Sequence, residues 1–148
     1  MRYIEIRKDI SSGAPVVKGR RTTVFNIVSC IYYEDNLQEA LDSYEIILDV
    51  AREAVAYCSE LKCQEDVNLF KFCSGCVLRA LQEDWNFSKD DYKEILLDEQ
   101  KQIITISKDG NSIFLGSLQE LEITELGEAG WLVAQEIKRR YPVLSADV

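Results

Sequence analysis

At 148 residues, with 47% apolar and 29% charged side chains, the chain holds one ordinary domain or two small ones sharing a core and is too apolar to be disordered. No run approaches the ~18 apolar residues of a membrane span, and the alternating Met1-Arg2-Tyr3-Ile4-Glu5-Ile6 carries an acid where a secretory leader is uniformly apolar, so a cytoplasmic protein is expected. The net charge of −9 is unevenly spread: residues 1–21 hold six basic and two acidic side chains, net +4, and the remaining 127 hold 11 and 24, net −13. Nucleic-acid contact therefore falls to the N-terminal segment, because so acidic a remainder repels phosphate. That remainder suits a basic protein groove, or simply keeps the chain soluble.

Taken in order, Tyr3–Arg7 and Val16–Val17 read as a small paired β-element, with Gly13 and Gly19 as turns that accept positive φ and Pro15 holding an extended φ. Thr22 or Thr23 then caps a helix whose apolar positions Val24, Ile27, Val28 and Ile31 keep the i, i+3, i+4, i+7 spacing. Asn36, with Glu39 three residues on, starts a second short helix through Tyr44. A third, Leu48 to Leu61, is expected to bury Val50 or Ala51, Ala54, Val55 and Cys58. Three short helices with tight connections make a helix-turn-helix-like unit. The basic candidates for phosphate or base contact are Lys18, Arg20 and Arg21 on the turn and Arg52 on the third helix. Asp49, Glu53 and Glu60 share that helix's outer face and oppose such a role, leaving a scaffold that uses another surface as the alternative.

The run Gly13-x-Pro15-x-Val17-x-Gly19-x-Arg21-x-x-Val24, followed by a short capped helix and a helix ending in Ala56-Tyr57-Cys58, resembles the family known as domain of unknown function 433. The resemblance covers about residues 1–61. Arg20 stands where that family usually has threonine, and Ser43-Tyr44-Glu45-Ile46-Ile47 stands in place of its tyrosine-proline segment. The resemblance implies a homeodomain-like or winged-helix-like antitoxin of a toxin-antitoxin pair. Its partner would be a PIN-like ribonuclease toxin, with operator DNA bound as a homodimer.

Beyond the third helix, Cys58, Cys63, Cys73 and Cys76 have the spacing C-x4-C-x9-C-x2-C. Four thiolates, two of them flanking a Ser74-Gly75 knuckle, suit a closed tetrahedral structural zinc site with Zn–S bonds of about 2.3 Å and binding energy on the order of 10 kcal/mol. Free thiols, an iron–sulfur cluster and disulfides are the alternatives. A reducing cytoplasm disfavours disulfides. Cys30 reads as a small hydrophobe.

Cys76 to about Glu83 reads as a short helix, with Trp85 and Phe87 as anchors in the linker that follows. The period then becomes two at Ile95–Leu97, Gln102–Ser107 and Ser112–Ser117, with Asp109-Gly110 as a hairpin turn and Leu118–Leu126 as a further strand or turn. A helix from Gly127, with Trp131, Leu132, Ala134, Ile137 and Tyr141 on one side and Pro142 at its end, is expected to cover this antiparallel meander. The expected fold is α+β: a helix-turn-helix-like domain over 1–61, a four-cysteine connector over 58–84, and a sheet with a covering helix over 85–148.

Catalysis finds no footing. The chain has no histidine, no Walker or dinucleotide glycine pattern, and no strand-first context for Cys73-x-x-Cys76 as a redox pair. Asp42, Asp49, Glu65, Asp66, Asp90 and Asp91 read as solvated surface. A binding protein is expected: an antitoxin, with a stand-alone DNA-binding regulator or a zinc-stabilised interaction module as the alternatives.

Overall fold

In the computed structural model of the chain, the described residues are 2–7, 13–60, 62–65, 94–98, 103–108, 111–117 and 130–145, with Cys73, Cys76 and Arg79. They form an α+β structure. Strands β1 (Ile4–Ile6) and β2 (Pro15–Val17) pair antiparallel, Ile4 opposite Val17 and Ile6 opposite Pro15. Gly13 and Gly19 flank β2 with φ of +82° and +77°, values that an L side chain resists. These two turns let so short a strand bury Val16 and Val17.

Helix α1 (Val24–Tyr33) is capped by Thr23, whose hydroxyl accepts the Asn26 amide at 3.1 Å, and buries Val24, Ile27, Val28 and Ile31. Helix α2 (Leu37–Tyr44) is capped by Asn36, which accepts the Glu39 amide at 3.1 Å. It ends without glycine: Glu45 takes the left-handed conformation, φ 53° and ψ 47°, and Ile46 donates back to the Leu41 carbonyl at 3.0 Å. This closure joins α2 to α3 (Leu48–Ser59) without the proline the family pattern has there. No side chain caps α3 at Ile47, so packing holds it: Val50, Ala51, Ala54, Val55, Tyr57 and Ser59 are all buried.

The last helix, α4 (Gly130–Arg140), goes elsewhere than expected. Val133, Ala134 and Ile137 enter the same core as the buried faces of α1 and α3, and Leu144, from a 3-10 turn over Pro142–Leu144, joins them. In the core the buried neighbour is Val133, and the Trp131 side chain lies outside the described residues. Two strands and three short helices leave the flanks of α1 and α3 uncovered. Each fully buried Ile or Leu placed there contributes about 2–3 kcal/mol, which directs the helix onto them.

The direction of α4 follows from its two ends. At one, Gly130 lies against the Phe25 ring. At the other, Arg140 donates to the Tyr32 carbonyl at 2.7 Å and stacks over the Tyr32 ring. Helices α1 and α4 therefore run side by side in the same direction. Helix α3 runs against them, with Cys58 at the Gly130 end and Arg52 bonded to Val143, past the far end of α4.

Strands β3 (Glu94–Asp98), β4 (Ile103–Lys108) and β5 (Asn111–Ser117) form a separate antiparallel sheet in that order, with an irregularity in register between Ile104 and Thr105. The expected Asp109-Gly110 turn, the body of the helix expected from Cys76, the anchors Trp85 and Phe87, and the Leu118–Leu126 stretch lie outside the described residues. Among the described residues no helix is long and apolar enough to cross a membrane.

Candidate functional site

The four cysteines singled out by spacing come from three local contexts. Cys58 sits in the last turn of α3 and Cys63 in a 3-10 turn over Lys62–Glu65. The Cys76 amide donates to the Cys73 carbonyl at 3.2 Å, and the Arg79 amide to the Cys76 carbonyl at 3.0 Å. No disulfide joins any of the five cysteines in this structure. Cys30 lies apart, half-buried on α1.

Electrostatics shows that the four share one neighbourhood. Burial pushes the Cys58 thiol well up, and Cys76, Cys73 and Cys63 each push it further. Such mutual repulsion requires proximity in a medium of low dielectric. Cys73 is likewise raised, first by burial and then by Cys76 and Cys63. Two groups oppose that rise: the Phe25 backbone amide, which donates to the Cys73 sulfur, and the Arg79 guanidinium. Phe25 is the second residue of α1, where amides have no partner within the helix and the dipole is positive. Arg79 is buried beside the thiols, 7% exposed.

Gly130, the first residue of α4, closes the other side: a Cβ built on it would stand 2.9 Å from the Cys58 sulfur. The thiols thus lie where two helices begin and one ends. Among the described residues no three cysteine or acidic side chains are drawn closely enough together to hold a metal ion. Phe25, Arg79 and Gly130 were missed from the sequence. An apolar residue inside a helix, a basic one in a short helical run and a glycine in a helix start carry no mark of their thiol neighbours.

The basic candidates divide. Lys18, Arg20 and Arg21 are exposed on the turn after β2, as expected. The Arg20 guanidinium, however, donates to the carbonyls of Tyr44 and Glu45 at 2.6 and 2.9 Å, closing the C-terminal end of α2. Arg52 donates from Nε to the Val143 carbonyl at 2.7 Å and pairs with Asp49 at 3.2 Å. The neighbouring Glu53 accepts the backbone amides of Arg2 and Tyr3 at 2.8 and 2.6 Å. The outer side of α3 is therefore crossed by Arg2 and Tyr3 and by the segment around Val143.

The two-strand, three-helix order, with positive φ at Gly13 and Gly19 around Pro15, now stands in place. Residues 4–58 match the family described as Protein of unknown function (DUF433). The DUF433 segment ends at Cys58, so Cys63, Cys73, Cys76, Arg79 and the whole of α4 lie beyond it. No curated protein and no solved structure matches the chain.

Proposed function

We propose that the chain is an antitoxin-type protein that works by binding another protein, a ribonuclease toxin of the PIN-like class that the family resemblance implies, with no catalytic residue of its own. One observation supports protein binding over operator reading: Arg52 and Glu53, on the outer side of α3, are already engaged by Val143 and by the amides of Arg2 and Tyr3. A recognition helix needs that side for base edges. Asp49, exposed on the same helix, and Glu60, exposed just past its end, would face phosphate with the wrong sign. The net charge of −9 favours a cationic partner surface and fast association with it at low salt.

The test is co-expression with the nuclease encoded by the neighbouring reading frame. Co-purification and suppression of its ribonuclease activity are expected, with no shift of operator-region duplex at low salt. The opposite result, no nuclease capture together with duplex binding that falls steeply with salt and weakens in Lys18→Ala and Arg21→Ala, would make the chain a DNA-binding regulator.

A further inference from the structure

The sheet of β3, β4 and β5 has two edges of opposite character. Strand β3 runs Glu94-Ile95-Leu96-Leu97-Asp98, with an acid at each end. Strand β5 runs Asn111-Ser112-Ile113-Phe114-Leu115-Gly116-Ser117, seven residues with no charge and no proline. Among the described residues each has a strand on one side only. A neutral edge of that length offers backbone amides and carbonyls to any strand that can lie beside it, and folded proteins ordinarily blunt such edges with charge or proline. Leu115, set between the partners of Ile104 and Thr105, twists β5 without adding charge to it. We propose that β5 pairs antiparallel with β5 of a second copy of the chain, across a two-fold axis, to form one six-stranded sheet.

Charge selects both the edge and the occupant. Two-fold pairing sets one end of a strand against the other end of its copy. At β3 this would bring Glu94 up to Asp98, acid against acid, whereas at β5 no charge meets another. A chain of net charge −9 draws in a basic partner through its acids, and β5 has none to offer it. The outer edges of the joined sheet are then both β3, whose acids repel a third copy, so assembly closes at two instead of growing into a filament.

The register supplies the apolar term. Ile95 opposite Ile106, Leu97 opposite Ile104 and Ile106 opposite Ile113 place these five aliphatic residues on one face of the sheet. Edge pairing about an axis perpendicular to the sheet continues that face from one copy into the other. The helix expected to cover it, α4, lies in the core with α1 and α3 instead. The interface falls wholly outside residues 4–58, so dimerisation through β5 is a property added to the DUF433 segment.

Sedimentation equilibrium of the full natural chain under reducing conditions is the test. The mass of two chains is expected at high concentration, falling toward that of one on dilution. Pairing over the whole strand sets its midpoint, Phe114, at the axis, so Phe114→Lys opposes two cations there and should weaken dimerisation about tenfold or more. Glu94→Lys, on the outer edge, should still dimerise. Should Phe114→Lys fail to fold, hydrogen exchange of the natural chain is followed above and below its dissociation midpoint, where dilution should strip protection from residues 111–117 and leave residues 94–98 unchanged. A single chain at every concentration, assembly beyond two, undiminished dimerisation of folded Phe114→Lys, or dilution-sensitive protection elsewhere than β5 would each overturn the proposal. So would protection of β5 by the co-purified nuclease in a chain that is single on its own. The antitoxin reading is tested separately, because these measurements use the chain alone.

Discussion

Gly130 and Cys58, 72 positions apart in sequence, meet so closely that the first residue of α4 has no room for a side chain: a Cβ would lie 2.9 Å from the sulfur. Alanine in a helix is favoured over glycine by up to about 1 kcal/mol, less at a first position, whereas overpacking costs about 1–3 kcal/mol. Overpacking wins. Gly130→Ala is expected to destabilise the chain by about 1–2 kcal/mol in denaturant unfolding. Removing the sulfur as well, in Gly130→Ala/Cys58→Ala, should recover most of that cost as a coupling energy in a double-mutant cycle.

Arg20 and Glu45 together end α2, one by bonding the last carbonyls and the other by adopting a left-handed φ of 53°. Arg20→Ala is expected to cost about 1 kcal/mol, the net worth of exposed charge-assisted hydrogen bonds. Glu45→Gly should stabilise by about 1 kcal/mol, because glycine takes that φ without strain. Thermal unfolding of the two variants should move in opposite directions.

Glu53 fastens the first strand to α3 through two backbone amides. Its loss in Glu53→Ala is expected to cost about 1–2 kcal/mol. Hydrogen exchange should localise the effect, with the amides of Arg2 and Tyr3 losing protection while the centre of α3 keeps its own.

Leu144 is fully buried, although it lies in a short turn 86 residues beyond the DUF433 match. Leu144→Ala is expected to cost about 3 kcal/mol. A chain ending at residue 129, which lacks Val133, Ala134, Ile137 and Leu144 from the core, should lose cooperative unfolding as followed by circular dichroism.

Cys30 offers a titration away from the thiol cluster. Burial first, and the Glu34 carboxylate second, raise its thiol above the ordinary 9.0. Above that pH the unfolded chain gives up a proton that the folded chain retains. This group's contribution to stability is therefore complete below the unfolded value and is lost as pH rises through the folded one. Slow alkylation of Cys30 by iodoacetamide at mildly alkaline pH is expected, and faster alkylation in Glu34→Gln, both read by peptide mass mapping.

Much of the local chemistry of residues 4–58 was legible in the sequence. The two positive-φ glycines around β2, the caps Thr23 and Asn36 and the apolar stripe of α1 follow from residues within a few positions of one another, and sequence spacing reports such interactions directly. It did not report Arg20 as the closure of α2 or Glu45 as its left-handed end, because an exposed basic or acidic side chain shows its partner only once the chain is folded. The destination of α4 was hidden for a similar reason. Its apolar face would suit a sheet or a helix pair equally well, and the uncovered flanks of α1 and α3 decided between them. The cysteine spacing singled out four sulfurs by itself. Their common neighbourhood, and the amide, guanidinium and glycine set around it, depend on helices that start and stop at the same place. Packing a long way along the chain decides that.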